Sequence, residues 1–392
     1  MAVEIQIPSI LMVGGGCFGE VPAVLKRLGC KRPLIVTDSF LMKSGLVRTL
    51  AESIRTTGIE CEIFSETVSD PTTDVVGLGV EVFLNGRHDS LVSLGGGSPI
   101  DTAKAIGMLA ANGGFASDYK VPDAPTKMGP AHIAIPTTAG TGSEVTRFTV
   151  ISDSETNEKM LIAGSTLLPS AAIVDYELTM SMPARLTADT GTDSLTHAIE
   201  AYVSRRANAF SDMFALTAMR TIWQELPTVF HEPSNKQARE KMMLAATEAG
   251  IAFSNASVAL VHGMSRPIGA YFHVPHGLSN AMLLPAVTAF SVEAAVGRYA
   301  DCARAMGIAD AVQDDLMSVK QLLQALYRRN AELEVPSPKT YGLSHETYFA
   351  LIPKMAAQAM ASGSPQNNPR IPTVEDICML YRQVWDGSRY IA

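Results

Sequence analysis

Apolar residues in the first half of the chain fall into short, evenly separated clusters. These are Pro33-Leu34-Ile35-Val36-Thr37, Cys61-Glu62-Ile63-Phe64, Ser90-Leu91-Val92-Ser93-Leu94, Ala131-His132-Ile133-Ala134-Ile135 and Ala172-Ile173-Val174. Each has the length and boundaries of a buried strand, and the stretches between them carry helical spacing. That alternation predicts βαβ units and a parallel sheet. Between two strands, the segment from Pro99 to Leu109 reads as a helix with Ser98 as its N-cap and Pro99 at its first position. After Met182-Pro183 the strand signal stops, and amphipathic helices follow over 215–226, 238–252, 294–306 and 312–333. The pattern predicts an α/β domain over 1–178 and an all-helical domain over 179–392. Ser362–Pro372, rich in Ser, Pro and Asn, is expected to be a surface loop.

The composition changes this picture little. A chain of 392 residues, 47% hydrophobic and 18% charged, has enough apolar material for two full cores. Its 31 Lys+Arg against 39 Asp+Glu give a net charge of −8 with no basic stripe, which argues against a nucleic-acid partner. The five cysteines form no CxxC pair, so neither a zinc ribbon nor a disulfide framework is expected, and a reducing cytoplasm suits them. The N-terminal residues lack a secretion signal, and no run approaches the ~18 apolar residues of a membrane span. A cytoplasmic protein with no membrane partner is the expectation.

Three loops carry candidate chemistry. Gly14-Gly15-Gly16-Cys17-Phe18-Gly19 fits G-x-G-x-x-G, with Asp38 further on, and reads either as a dinucleotide fingerprint or as a tight turn. Gly95-Gly96-Gly97-Ser98 joins a strand to a helix, where glycines admit a pyrophosphate close to backbone N–H groups at the helix N-terminus. Pro136-Thr137-Thr138-Ala139-Gly140-Thr141-Gly142-Ser143 follows the next strand and suits either a ligand-lining loop or a capped turn. Asp38 ends a strand of its own; a carboxylate there can take both ribose hydroxyls and repel a 2′-phosphate, favouring NAD over NADP.

The second half holds a histidine and aspartate constellation. Asp193 and His197 stand four apart, on one face of a helix, and His262 and His276 follow in Val261-His262-Gly263 and Pro275-His276-Gly277. One carboxylate and three imidazoles make a donor set for Fe²⁺ or Zn²⁺; each histidine also has an ordinary reading as a satisfied core or surface residue.

Gly95–Lys104, the segment PTTAGTGSEVT at Pro136–Thr146, Asp193-x3-His197 and His262-x13-His276-Gly277 occur in one order along the chain. Together they resemble the iron-containing alcohol dehydrogenase family, from Pro33 to about Arg370. The resemblance implies metal ligands at Asp193, His197, His262 and His276. It implies a pyrophosphate loop at Gly95, Gly96, Gly97 and Ser98, and nucleotide contacts at Asp38, Thr137, Thr138, Thr141 and Lys159. The N-terminal domain is then a Rossmann-like dinucleotide-binding domain for NAD, and Gly14–Gly19 is left as a turn.

The implied activity interconverts an alcohol and an aldehyde or ketone by hydride transfer, a divalent metal (Fe²⁺, with Zn²⁺ as the alternative) polarising the substrate oxygen. Hydride donor and acceptor are expected to meet in a cleft between the domains of a homodimer's subunit. Phe253 and Val258 read as pocket lining or as core. Two positions depart from the family pattern. Arg266 stands where many members carry a second histidine, a fixed cation that cannot shuttle protons, so His273 is named as a substitute relay. Asp70-Pro71-Thr72 replaces the family's Asn-Pro-Thr loop. Arg266 also motivates a rival, a hydroxy acid dehydrogenase or hydroxyacid–oxoacid transhydrogenase on the same scaffold. A non-catalytic nucleotide-binding protein is the other alternative.

Overall fold

The computed structural model describes residues 2–156 and 158–387. It separates into two compact units, Gln6–Ser181 and Met182–Ala392, the second including Met1–Ile5. In the first unit the strands are β1 (Ile10–Val13), β2 (Pro33–Asp38), β3 (Glu62–Thr67), β4 (Ser90–Gly95), β5 (Ala131–Pro136), β6 (Phe148–Ser152), β7 (Lys159–Ala163) and β8 (Ala171–Val174). Its helices are α1 (Val21–Arg27), α2 (Ser39–Ser44), α3 (Leu46–Arg55), α4 (Thr73–Asn85) and α5 (Gly97–Asn112). Six strands form one parallel sheet in the order β1-β8-β5-β4-β2-β3.

The sheet is parallel because every strand returns through a crossover, and its inner strands are largely buried because both faces are covered there. Alternate side chains serve opposite faces. Ile35, Val92, Leu94, Ile133 and Ile135 pack with Val24, Leu25, Leu50 and Ile54 from α1 and α3. Leu34, Val36 and Leu91 pack the other way, with Val76 and Phe83 from α4 and Ala103 and Ile106 from α5.

From β2 the chain moves outward to β3, whereas from β4 it moves the other way to β5. That reversal between adjacent strands is a topological switch point, where open α/β sheets bind ligands at the carboxyl ends of their strands. Asp38 and Gly95-Gly96-Gly97 sit at those two ends. Gly14–Gly19, by contrast, follows the edge strand β1, away from the switch point.

Several sequence expectations need amending. α5 begins at Gly97 with Gly96 as N-cap, extended and without a side-chain cap bond, so Ser98 lies in the first turn instead of capping it. The hairpin β6–β7 was not foreseen; it is antiparallel, each strand alternating buried and half-buried residues. Ser362–Pro372 is not an open surface loop, because Ser364, Asn367 and Asn368 are buried. Asn367 donates to Ser257 Oγ and to the Val258 carbonyl, and Asn368 to Ser291 Oγ and the Arg370 carbonyl. The polar residues that made the segment look like a loop are the ones that anchor it.

The second unit is helical: α6 (Ala184–Val203), α7 (Ala209–His231), α8 (Lys236–Ala256), α9 (Leu260–Phe272), α10 (His276–Ser291), α11 (Val296–Ala305), α12 (Asp315–Glu332), α13 (Pro338–Tyr341), α14 (His345–Ala361) and α15 (Val374–Val384). Helices α6, α7 and α8 pack together, and α10 lies against both α6 and α9. Arg298 stacks on Tyr202 with 3.5 Å to the ring centroid and pairs with Asp212, tying α11 to α6 and α7. Among the described residues no single helix is long and apolar enough to cross a membrane.

Ile133 lies fully buried on a central strand of the sheet. Ile133→Ala should lower stability by about 2–5 kcal/mol through loss of apolar contact and the cavity left behind. The urea midpoint of the folded protein checks it.

Candidate metal centre and cofactor loops

Helix α6 carries Asp193, His197 and Glu200 on one stripe, all buried. Such a stripe is stable only where each group finds a partner of opposite need. Helix α9 supplies His262 and α10 supplies His276 as its first residue, directly after Pro275. The turn between them is tight because His273 caps α9 in the left-handed conformation (φ 54°), its N–H donating to the Gly269 carbonyl at 3.0 Å.

Asp193 Oδ1 lies 3.4 Å from His262 Nε2, 3.8 Å from His197 Nε2 and 3.9 Å from His276 Nε2. Ligand atoms of Asp193, His262 and His276 fall within 4.8 Å of one another. A tetrahedral shell with bonds of about 2.1 Å spaces its donors by about 3.4 Å, so this convergence has the scale of a coordination site. The His197 ring stacks between Phe253 and His262, at centroid distances of 4.2 and 4.4 Å, which fixes its plane. Phe253 is thereby a wall of the cluster.

Two residues that sequence reasoning missed complete it. Glu200 accepts from His262 Nδ1 at 2.6 Å and from the Val261 N–H at 2.6 Å. With its Nδ1 proton held by Glu200, His262 presents the Nε2 lone pair to the centre, the tautomer a metal ligand needs. Asn280 Nδ2 donates to Asp193 Oδ1 at 2.6 Å and lies 3.1 Å from His262 Nε2 and 3.3 Å from His276 Nε2. Its Oδ1 is buried with no hydrogen-bond partner among the described residues. Helical spacing was the available signal: Glu200 lies two turns after Asp193, and Asn280 one turn after His276.

The donor set therefore suits a divalent cation: one carboxylate, imidazole nitrogens turned inward, and an amide in their midst whose oxygen is unsatisfied. The electrostatics agree. Burial pushes the Asp193 carboxyl up, but His197, His276 and His262 outweigh it and hold the group well below the ordinary carboxylate range. Burial opposes charge on His262, yet Glu200 and Asp193 raise it overall.

Gly277 explains how α10 comes so near. A Cβ there would lie 2.3 Å from the Asp189 backbone oxygen and 3.3 Å from Asp193 Cβ. Only hydrogen lets the two helices touch at this point, and the contact sets His276 and Asn280 against Asp193.

In the α/β unit, loops of adjacent strands meet at the sheet's carboxyl edge. Gly95 pairs in register with Pro136, and the Thr137 N–H donates to the Gly95 carbonyl at 2.9 Å. A Cβ on Gly96 would meet Thr138 Cγ2 at 3.4 Å, and one on Gly97 would meet Thr141 Cγ2 at 3.0 Å. Thr138 Oγ1 is buried without a hydrogen-bond partner among the described residues. A glycine cradle, an unsatisfied hydroxyl and the N-terminus of α5 suit a pyrophosphate. Ser98 lies beside them in the first turn. Asp38 caps α2, its Oδ1 accepting from the Leu41 N–H at 2.9 Å. The Lys159 side chain, nearly buried, pairs with Asp70 at 2.7 Å, so the implied nucleotide contact and the first residue of the Asp70-Pro71-Thr72 departure touch each other.

Beneath the threonine loop, Lys104 Nζ reaches the Ser143, Thr146 and Phe148 carbonyls at 2.7, 2.9 and 2.8 Å and the Ser143 and Thr146 hydroxyls at 3.0 Å each. Burial lowers this ammonium to about 8, against the pull of Asp101 and Glu144. Asp101, one turn earlier, accepts from Ser143 Oγ at 2.5 Å and from the Val150 N–H at 2.9 Å. The pair clamps residues 143–150 onto α5.

Two further positions lie outside the donor cluster. His273 is exposed at the α9 cap, and no hydrogen bond from its ring to the cluster is present among the described residues. Arg266 lies on α9, buried, with Nη1 donating to Ser364 Oγ at 2.9 Å.

A doubly wound sheet with a glycine cradle at its switch point, and separately a helical carboxylate–imidazole centre, define a dinucleotide- and metal-dependent oxidoreductase. The sequence matches "Iron-containing alcohol dehydrogenase" over residues 8–176 and "Fe-containing alcohol dehydrogenase family, C-terminal" over 187–385; the chain belongs to the iron-containing alcohol dehydrogenase family. It is 40% identical to the NAD-dependent methanol dehydrogenase of Bacillus methanolicus, covering 96% of this chain and 98% of that one. It is 37% identical to the lactaldehyde reductase of Escherichia coli (strain K12), covering 98% and 100%. Its fold matches a crystal structure of 1,3-propanediol oxidoreductase with a TM-score of 0.93 at 35% identity, over 98% of this chain and 100% of that one. The chain is an NAD-dependent alcohol dehydrogenase, as the sequence motifs implied.

Removing the Glu200 carboxylate should loosen His262: Glu200→Gln is expected to weaken divalent-metal binding about 10–100-fold in a chelator-competition titration. Lys104→Met should leave Asp101 buried without its cation, costing about 3–5 kcal/mol of stability. It should also raise the NAD⁺ dissociation constant measured by NADH fluorescence displacement.

Proposed function

We propose that Asp193, His197, His262 and His276 hold one divalent ion, Fe²⁺ with Zn²⁺ as the alternative. NAD is bound by Asp38, Gly95, Gly96, Gly97, Ser98, Thr137, Thr138, Thr141 and Lys159. The convergence of Asp193, His262 and His276, with Glu200 behind His262, carries this reading. The donor chemistry admits several divalent ions, and availability decides among them; the family to which the chain belongs favours iron.

The reaction removes hydride from the carbinol carbon of a small alcohol and a proton from its oxygen, giving an aldehyde or ketone and NADH. When bound, the metal supplies Lewis-acid polarisation of the substrate oxygen, and NAD⁺ supplies the carbon that accepts hydride. The chain's own part is positional. Glu200 holds the Nδ1 proton of His262 and so keeps its Nε2 free of one. Phe253 holds the ring plane of His197, and Asn280 orients the Asp193 carboxylate. In the other unit, the Gly95–Ser98 turn offers backbone N–H groups to the pyrophosphate, and the Asp101–Lys104 clamp keeps the threonine loop in place. Asp38, near the carboxyl end of β2, supports NAD over NADP, because a 2′-phosphate would face its negative charge.

The domains are taken as 1–178 and 179–392, a division that the compact units support within a few residues. A homodimer acting in the cytoplasm completes the proposal, in keeping with free cysteines throughout the described chain.

His262→Ala should abolish turnover by removing a donor while the α/β unit keeps its NAD⁺ affinity. Alcohol-dependent NADH production and NAD⁺ calorimetry on the same preparation check both halves, and turnover retained in the variant overturns the metal assignment.

A further inference from the structure

Arg266 follows His262 by one turn of α9, so the two side chains leave the same face of that helix. It is 6% exposed. A guanidinium has five N–H donors in a planar fork, and among the described residues this one spends a single hydrogen bond, Nη1 to Ser364 Oγ at 2.9 Å. Among the described residues no carboxylate lies within ion-pair distance of it. Glu200 exerts the one opposite-charge pull on it, but both Glu200 oxygens are committed, one to His262 Nδ1 and the other to the Val261 N–H.

A charge taken out of water without a counter-ion costs several kcal/mol. Burial pushes Arg266 down to about 10 despite Glu200. Structural arginines elsewhere in this chain are compensated differently: Arg298 has Asp212, Arg185 has Asp189, and the buried Arg239, which has no carboxylate partner, spends its fork on the Pro233 and Met182 carbonyls and the Thr187 hydroxyl. A buried cation without a resident anion, one helical turn from a metal donor, is arranged for an anion that arrives with the substrate.

We infer that Arg266 is a specificity-determining residue that receives a carboxylate on the alcohol or aldehyde substrate, so that the preferred substrates are hydroxy acids and their oxo acids. The planar fork presents two parallel N–H groups to a carboxylate, and one negative charge balances one guanidinium. Side chains one turn apart have Cβ atoms about 5–6 Å from each other, so the carboxylate and the reacting carbon belong at opposite ends of a short chain. The inference rests on the alcohol dehydrogenase reading and narrows its substrate class.

The test uses the metal-loaded enzyme with NAD⁺ and two matched series of three to six carbons, ω-hydroxycarboxylates and unsubstituted primary alcohols. At the best length, kcat/KM for the hydroxy acid should exceed that for the plain alcohol about 100-fold or more, as expected where a site built to bond a polar group meets an analogue that lacks it. In Arg266→Gln that ratio should collapse toward one, and Arg266→Lys, which keeps the charge but not the fork, should fall between. Equal kcat/KM for the two series in the wild type, or a ratio unchanged in Arg266→Gln, overturns the inference. Should the variants fail to fold, calorimetry on the wild type decides: pentanoate should bind at least about tenfold more tightly than pentanamide, and equal affinity overturns it. Absence of NADH production from either series counts against the dehydrogenase reading itself, while the calorimetric comparison still judges Arg266.

Discussion

Burying Asp193 and Glu200 on one face of α6 is the constraint from which the helical unit follows. Two carboxylates in a packed interior are tolerable only with fixed partners, and the fold supplies them from two other helices. Glu200 takes the outer nitrogen of His262, which turns the inner nitrogen toward Asp193. Asp193 in turn draws in His276 and Asn280, and the missing side chain at Gly277 makes room for the approach. Each contact presupposes the one before it, so the arrangement of α6, α9 and α10 and the chemistry of the centre are one problem solved once.

The α/β unit solves a different problem. The edge proposed to bind NAD consists largely of glycines and threonines, residues that do little to fix their own loops. Rigidity comes from below, where Lys104 and Asp101 on α5 collect carbonyls, hydroxyls and an N–H from residues 143–150. A single ammonium with oxygens on every side makes a loop behave like part of the helix beneath it.

Much of this was legible in the sequence. The five apolar clusters gave the four inner strands and the edge strand β3, and the break at Met182-Pro183 marked the end of strand formation. The four positions proposed as metal donors were readable from spacing together with a family resemblance. What escaped has physical reasons. The hairpin β6–β7 is half-buried on one side, so its alternation is diluted by Thr, Ser and Lys. The Ser362–Pro372 segment was misjudged because Asn and Ser are loop formers by composition, while here their amides and hydroxyls are spent on buried partners. Glu200 and Asn280 were passed over because a carboxylate or an amide on a helix is ordinary until its neighbours on the same face are counted. Ser98 was assigned a capping role that Gly96 fills through its backbone alone.

One topological detail bears on how the molecule comes into being. Strand β1 hydrogen-bonds to β8, with Ile10 aligned to Ala171. The beginning of this sheet must therefore wait, unpaired along its length, until a stretch synthesised some hundred and sixty residues later is released from the ribosome. Its exposed edge positions, Leu11 and Val13, stay open to wrong pairings during that interval. A nascent chain of this kind is vulnerable for a time set by translation speed, and the non-local closure of the sheet makes slow folding an inherited property of the architecture.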